Sequence, residues 1–264
     1  MAFINLQNVS KCFVGRNGRE SVAVSNLSLD IDQGEFFCLL GPSGCGKTTV
    51  LGMLAGFDSP TSGNILLDGQ PVDGPSRDRG VVFQGEDSLY PWLSALNNVA
   101  FGPRMARKPA RECRDHALKY LDLVGLRGQH DKYPPELSGG MKQRIQIARA
   151  LANEPKMLLM DEPFGALDSQ TRTIMQQELR KIWRETRSSI FFITHDLDEA
   201  IVLGGTIGVM TAGPGGTLKA VVPVNLGAER DRKDPAYMKI YAAVHDMIRE
   251  EVAKASLLSR SEPS

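Results

Sequence analysis

A glycine-rich stretch at residues 41–49 constrains the fold of this chain more than any other part of its sequence. It reads G-x-x-x-x-G-K-[ST], follows an apolar run at 36–40 and precedes a predicted helix at 50–55. Glycines let the backbone surround an anion, and its N–H groups and the helix N-terminus supply positive potential. The stretch, hereafter the phosphate loop, therefore predicts an α/β fold that binds a nucleoside triphosphate. Its residues are Gly41, Pro42, Ser43, Gly44, Cys45, Gly46, Lys47, Thr48 and Thr49.

Three side chains of the phosphate loop carry chemistry. Lys47 is expected to reach the β- and γ-phosphates as a point charge, and the Thr48 hydroxyl is expected to be a ligand of Mg²⁺. Cys45 lies beside Lys47 and a helix N-terminus, an environment that lowers the pKa of a thiol, so a maleimide is expected to label it. The alternative for Cys45 is a small filler. The alternative for the whole loop, a glycine-rich turn with a chance lysine, is disfavoured by the flanking strand and helix.

Two carboxylates, Asp161 and Glu162, follow an apolar run at 157–160. Adjacent side chains of a strand point to opposite faces, so these two groups are expected to have different roles. Asp161 is assigned to the Mg²⁺ shell, and Glu162 is assigned to polarising the attacking water as a general base. A solvated acidic turn is the alternative, and the phosphate loop upstream makes it the less favoured one.

A second candidate anion site consists of Ser138, Gly139 and Gly140, which precede a predicted helix at 142–151. A hydroxyl, bare backbone amides and a helix dipole all favour a negative charge there. One nucleotide seldom requires two such sites from one subunit.

The order of the predicted elements divides the chain into regions. Residues 4–31 alternate short apolar runs with turns, which indicates an antiparallel β layer that continues through a hairpin at 64–69. Strands then alternate with helices, which indicates a parallel sheet with ligands at the carboxyl ends of its strands. We interpret 1–264 as a single domain, with an inserted helical subdomain at 88–151 and a C-terminal helix at 232–254. That helix is expected to pack on the body of the protein rather than on a membrane.

Composition excludes several classes of protein. Lysine and arginine number 31, as do aspartate and glutamate, so the chain lacks the basic surplus of a nucleic-acid binder. No apolar run approaches the roughly 20 residues of a spanning helix, and the first residues do not resemble a secretory signal. The four cysteines include no C-x-x-C pair, which argues against zinc and disulfides. The chain is therefore expected to stay in the cytosol.

The phosphate loop, the string Leu137-Ser138-Gly139-Gly140 and the pair Asp161-Glu162 resemble, in this order, the ATP-binding cassette of ABC transporters. The resemblance extends over about 3–211. It implies a P-loop ATPase core of the ABC type with an antiparallel β subdomain and an inserted helical subdomain. It also implies that two cassettes pair head to tail, so that the phosphate loop of one and the Ser-Gly-Gly of the other enclose the same ATP.

The same resemblance assigns further residues. Gln84 matches the glutamine that links Mg²⁺ or the attacking water to the transmembrane partner, and Asp168 matches the aspartate that crosses the dimer seam. His195 matches the histidine that senses the γ-phosphate; taken alone, it is a lone histidine after a buried strand. Phe13 matches the aromatic residue that stacks on adenine, although it could equally be a core residue. The Mg²⁺ ligands implied are Thr48, Gln84 and Asp161, and the catalytic residues implied are Glu162, His195 and Gln84.

Strings at 79–84, 91–93, 97–102 and 161–168 resemble more narrowly the ATPases of nitrate, sulfonate and taurine importers. This implies uptake of a small anionic solute by a homodimer of the chain with two permease subunits and, indirectly, a solute-binding protein. It places the chain peripherally on the cytoplasmic face of the inner membrane, without nucleic acid. Trp92 is then an exposed anchor for a permease helix, or else a core tryptophan.

Three other functions stay open at this point. A soluble ABC-type ATPase in translation or DNA repair would usually carry two cassettes or a long coiled-coil insert. A P-loop kinase would lack the string at 137–140 and would need an acceptor site. An exporter ATPase is possible because the membrane partner sets the direction of transport.

Overall fold

The structure is a computed structural model that describes residues 2–15, 18–83, 88–165, 167–227 and 229–261, with side chains as far as residue 256. Its strands are β1 (Ile4–Val14), β2 (Glu20–Ile31), β3 (Phe36–Leu40), β4 (Ser62–Leu67), β5 (Gln70–Pro71), β6 (Arg79–Val82), β7 (Met157–Asp161), β8 (Ser189–Ile193), β9 (Thr206–Met210) and β10 (Leu218–Pro223). Its helices are α1 (Lys47–Ala55), α2 (Ala95–Met105), α3 (Ala110–Leu123), α4 (Gly139–Leu151), α5 (Ser169–Thr186), α6 (Leu197–Leu203) and α7 (Pro235–Ser261), with a 3₁₀ turn at Pro134–Glu136. Two compact units result, Met1–Pro75 with Ser189–Ser264, and Ser76–Ser188.

An antiparallel sheet with the strand order β2-β1-β4-β5 forms one layer of the first unit. Ile4 of β1 lies opposite Ile31 of β2 and opposite Leu67 of β4. The last residues of β2 alternate between buried and exposed, as expected for a sheet with one covered face. The β layer predicted at 4–31 and its continuation at 64–69 are confirmed.

Strand β3 lies between two parallel neighbours in the first unit, β8 and β9, and β10 pairs antiparallel with β9. All of β3 is buried, which is the pattern of a strand covered on both faces. Leu39 lies opposite Ile193 of β8 and opposite Gly208 of β9. The phosphate loop after β3 and the residues after β8 therefore leave the sheet at the same edge.

Helix α7, in the region where the sequence predicts a C-terminal helix at 232–254, packs against other elements of the first unit. Tyr237, Val244 and Glu251 are buried at intervals of two helical turns, so they share one face. The Tyr237 hydroxyl donates a hydrogen bond to Asp198 of α6 at 2.5 Å. No helix within the described ranges is long and apolar enough to cross a bilayer.

The second unit contains β6 and β7, which are parallel, together with α2 to α5. Helices α2, α3 and α4 lie within the region 88–151 for which the sequence predicts a helical subdomain, and they share this unit with β6, β7 and α5. The buried Asn98 organises the turn before α2. Its amide nitrogen donates to the carbonyl oxygens of Tyr90 and Leu93 at 3.1 and 2.9 Å, and its oxygen accepts from the Tyr90 N–H at 2.9 Å.

Candidate functional site

The phosphate loop turns from β3 into α1 through two glycines with left-handed backbones, Gly44 at φ 77° and Gly46 at φ 99°. A Cβ on Gly46 would lie 2.5 Å from the carbonyl oxygen of Ala23 and 2.8 Å from Cγ2 of Val24. A Cβ on Gly44 would meet no atom within 4 Å. Gly46 is therefore required for both its conformation and its contact with β2, whereas Gly44 is required for conformation alone.

This difference gives a testable stability prediction. Gly46→Ala is expected to lower the free energy of unfolding by about 2–5 kcal/mol, since it adds overpacking to the cost of a left-handed alanine. Gly44→Ala, the matched control, carries only the conformational cost of about 1–2 kcal/mol. Denaturant unfolding followed by circular dichroism measures both. Equal losses in the two variants would contradict the predicted contact with Ala23.

The side chain of Lys47 folds back onto the backbone of the phosphate loop. Its Nζ donates to the carbonyl oxygens of Gly41 and Pro42 at 2.8 and 2.9 Å, and the residue is only 8% exposed. Helix α1 begins at Lys47 without a side-chain cap and without an acidic residue in its first turn. Its first N–H groups and the exposed Thr48 are thus suited to an anion.

The environment of the Cys45 thiol differs from the one that the sequence predicts. The thiol is fully buried, with Sγ 4.0 Å from Met210 Sδ and 3.9 Å from Lys47 Nζ. Burial raises the pKa of the Cys45 thiol, and this effect exceeds the lowering by Lys47. The expected low pKa is therefore wrong, the burial of the thiol disfavours labelling by a maleimide, and the small-filler alternative fits the packing.

Phe13 and His195 belong to the same unit as the phosphate loop. Phe13 is 42% exposed, with Lys11 Nζ 4.9 Å from its ring centroid, so the core alternative is wrong. His195 is exposed and follows β8, where the N–H of Thr194 donates to Leu39 at 3.3 Å. The structure thus brings His195 to the sheet edge from which the phosphate loop departs, while the adenine role of Phe13 stays a prediction.

The two carboxylates lie in the second unit at the end of β7. Asp161 is its last residue, and Glu162 follows with a left-handed backbone at φ 42°. The carbonyl oxygen of Glu162 accepts from the N–H of Gly165 at 3.1 Å. The strand alternation therefore ends at Asp161, and a turn sets the direction of Glu162. A non-glycine residue with this backbone is strained, which is common at functional sites.

The Ser-Gly-Gly site and Asp168 also lie in the second unit. Ser138 caps α4, where its hydroxyl oxygen accepts from the N–H of Met141 at 3.4 Å. Asp168 caps α5 by accepting from the N–H groups of Gln170 and Thr171 at 3.0 Å and from the Thr171 hydroxyl at 2.7 Å. The hydrogen bond from the Thr171 hydroxyl, with those from the backbone, lowers the pKa of the Asp168 carboxyl.

Thr171 is a site residue that the sequence interpretation missed. A Cβ on Gly140, in the first turn of α4, would lie 2.9 Å from Cγ2 of Thr171, in the first turn of α5. The N-terminal ends of the two helices are therefore in close contact at these residues. The Asp-x-x-Thr spacing at 168–171 is the sequence signal that could have indicated this cap.

Trp92 lies on the surface of the second unit. It is 70% exposed, so the core alternative is wrong. Its ring centroid is 5.5 Å from that of Tyr90, which in turn lies 4.7 Å from Phe101 and carries the guanidinium of Arg149 at 5.4 Å. The three aromatic side chains and Arg149 are hereafter called the aromatic surface. Gln84, predicted to act just before it in the sequence, lies outside the described residues.

The predicted Mg²⁺ ligands fit what Mg²⁺ prefers. Thr48 offers an exposed hydroxyl in the first unit, and Asp161 offers a half-buried carboxylate in the second. Over the ranges that the structure describes, no three histidine, cysteine or acidic side chains form a cluster suited to a metal. Mg²⁺ commonly takes one or two protein oxygens and completes its shell with phosphates and water, and its binding by Thr48 and Asp161 stays a prediction.

Known proteins resemble this chain over most of its length. A family model described as ABC transporter matches residues 24–165. A nitrate import ATP-binding protein of Synechocystis sp. is 43% identical over 255 residues, 93% of this chain and 95% of that protein. A taurine import ATP-binding protein of Jannaschia sp. is 42% identical over 270 aligned positions, 100% of both chains. A solved dimeric ATP-binding cassette in a post-hydrolysis state, with ADP and Pi, matches with a TM-score of 0.72 and 33% identity, covering 85% of this chain and 100% of that chain.

Proposed function

The chain belongs to the ABC transporter family of ATP-binding proteins, and from this premise we propose that it hydrolyses ATP to drive uptake of a small anionic solute. It is an ATPase of that family. The observation that carries the proposal is the phosphate loop, where Lys47 and the exposed Thr48 open a helix that has no side-chain cap. Such a helix N-terminus binds phosphate through its backbone N–H groups.

Each site residue has a proposed task in hydrolysis. Lys47 holds the β- and γ-phosphates, Glu162 takes a proton from the attacking water, and His195 senses the γ-phosphate. Mg²⁺, held by Thr48 and Asp161 with Gln84, neutralises charge on the phosphates. Phe13, which is 42% exposed, stacks its ring on adenine. The chemistry depends mainly on positioning and electrostatic stabilisation, as in other phosphoryl transfers.

Two copies of the chain are proposed to pair head to tail. Ser138, Gly139 and Gly140 of one copy then contact ATP held by the other, and Asp168 lies at the seam. The close approach of Gly140 to Thr171, which also bonds Asp168, supports this because it places the Ser-Gly-Gly site next to the residue assigned to the seam. The solved cassette with ADP and Pi is likewise dimeric.

The solute class follows from the relatives. The nitrate and taurine import proteins are 43% and 42% identical to this chain, so sequence similarity does not favour one over the other. Nitrate and the taurine sulfonate share a small, negatively charged oxyanion group. We therefore propose this shared chemistry for the solute, with two permease subunits and, indirectly, a solute-binding protein as partners at the cytoplasmic face of the inner membrane.

Affinity purification of the tagged chain from detergent-solubilised membranes tests this proposal. A multi-span permease should co-purify and be identified by mass spectrometry. A solute-binding protein encoded with that permease should then bind a nitrate-like or sulfonate-like anion. Recovery of ribosomal or DNA-repair proteins without a permease would overturn the transport proposal and leave the ATPase standing.

The aromatic surface gives a sharper prediction. Trp92→Ala is expected to reduce permease recovery at least tenfold, since a truncated tryptophan at the centre of an interface commonly costs 2 kcal/mol or more. Phe57→Ala is the control, because Phe57 is also an exposed aromatic residue but belongs to the other unit. Quantitative mass spectrometry of the purified complexes compares the variants. Equal recovery from both would remove Trp92 from the permease interface.

A further inference from the structure

The C-terminal helix buries a carboxylate that none of the proposed catalytic steps uses. The side chain of Glu251 is 1% exposed. Its Oε1 accepts from Lys219 and Lys254 at 2.9 and 2.7 Å, and its Oε2 accepts from the backbone N–H of Ala212 at 2.9 Å. A buried charge is costly unless all its oxygen atoms are paired, so this group is held in one place by its partners.

These partners keep Glu251 ionised. Burial alone would raise the pKa of its carboxyl, but the hydrogen bonds from Lys254, Lys219 and the Ala212 N–H outweigh burial and lower the pKa to about 2. At neutral pH the group is therefore a fixed anion that binds the segment containing Ala212.

That segment, residues 211–217, links β9 to β10 and is hereafter the backing loop. It is closed by the N–H of Thr211 donating to the Thr217 carbonyl oxygen at 2.9 Å, and by the N–H of Thr217 donating to the Thr211 hydroxyl at 3.0 Å. The backing loop is also bonded to β2, because the N–H of Ser25 donates to Gly216 at 3.1 Å. It is thus a defined structure rather than a loose connection.

The backing loop touches the backbone of the phosphate loop. A Cβ on Gly213 would lie 2.5 Å from the Gly44 carbonyl oxygen and 3.0 Å from Cys45 Cα. A Cβ on Gly216 would lie 2.2 Å from the Cys45 carbonyl oxygen. Such close approach leaves no slack between the two loops, so a displacement of one must displace the other.

We propose that Glu251 is a positioning residue for nucleotide binding, which acts by fixing the backing loop and, through it, the phosphate loop. This inference rests on the proposed function, because it takes the phosphate loop as the ATP site. The helix that carries Glu251 is then part of the binding machinery although it does not contact the nucleotide.

The kinetic test compares Glu251→Ala with Glu250→Ala in the full chain. Glu250 is the matched control, since it is the preceding residue, also bonds Lys219, at 2.6 Å, and has no bond to Ala212 in the structure. Glu251→Ala disturbs the loop that receives the phosphates and leaves Glu162 and His195 in place, so it is expected to raise the KM for ATP about fivefold with kcat changed less than twofold. If Glu251 only stabilised the fold, Glu251→Ala would reduce the fraction of protein that is folded and active, which lowers the apparent kcat and leaves KM unchanged. That result would overturn the proposal.

Hydrogen exchange supplies a readout that does not need ATP. In Glu251→Ala, backbone amides of 211–217 and of 41–46 are expected to exchange about tenfold faster than in Glu250→Ala. Exchange rates in the strands of the sheets are expected to be the same in both variants. Faster exchange at 211–217 alone would reject the coupling. If the wild-type chain fails to bind MgATP, the proposed function fails, while the exchange result still decides the coupling between the loops.

A second variant covers the case in which Glu251→Ala does not fold. Glu251→Gln keeps the shape and one acceptor oxygen but removes the charge that binds two lysines, so its KM is expected to lie between those of the wild type and the alanine variant. An unchanged KM and unchanged exchange in Glu251→Gln, with Glu251→Ala unfolded, would reject the positioning role in favour of a purely structural one.

Discussion

Glu162→Gln is expected to lower ATP turnover by about 10²- to 10⁴-fold while the chain still binds MgATP. The amide has nearly the shape of the carboxylate but cannot take a proton from the attacking water. Because two bound ATP molecules hold the proposed dimer closed, the variant should accumulate as a dimer in the presence of ATP. Phosphate release measures turnover, and size-exclusion chromatography with ATP measures the trapped dimer.

The control for this prediction is Glu154→Gln in the same unit. Glu154 also has a left-handed backbone, at φ 50°, and it belongs to no proposed catalytic step. Glu154→Gln tests whether a change from glutamate to glutamine at a strained position lowers ATP turnover by itself. Unimpaired turnover in Glu162→Gln would remove Glu162 from its role as general base, whatever the control shows.

Lys47→Met is expected to weaken ATP binding by about 10- to 150-fold, the equivalent of one charge-assisted hydrogen bond of 1.5–3 kcal/mol. Methionine keeps most of the side-chain volume and removes the ammonium group that the phosphates require. A fluorescent ATP analogue measures affinity in the full chain. The variant also loses the bonds to Gly41 and Pro42, so circular dichroism is recorded alongside.

Lys119→Met serves as the charge-matched control, because Lys119 lies on α3 with its ammonium group 5.5 Å from the ring centroid of Tyr120. It removes the same charge far along the chain from the phosphate loop. Affinity in Lys119→Met should equal that of the wild type. A comparable loss in both lysine variants would show that overall charge, rather than the phosphate loop, sets the affinity.

Local sequence signals were sufficient for much of the fold. The phosphate loop was located by its glycines and lysine between a strand and a helix, and both flanking elements are present. The alternation of strands and helices indicated a parallel sheet, and β3 indeed lies between two parallel neighbours with all of its residues buried. In these cases, residues close together in sequence decide the structure.

Features that depend on distant residues were missed. The environment of Cys45 is set by Met210 and by burial, so neighbouring Lys47 alone gave the wrong direction for its pKa. The bond from Ala212 to Glu251 likewise joins residues that no local pattern relates. Tertiary contacts decide both features.

The left-handed backbone of Glu162 places stability and catalysis in conflict at a single residue. Glycine or asparagine would adopt this conformation with less strain, and a chain selected only for a stable fold would have one of them there. A carboxylate at this position is what the proposed general base requires during turnover. Attempts to stabilise this protein by replacing strained residues should therefore leave position 162 unchanged, since the most favourable substitution for the backbone would also remove the proposed base.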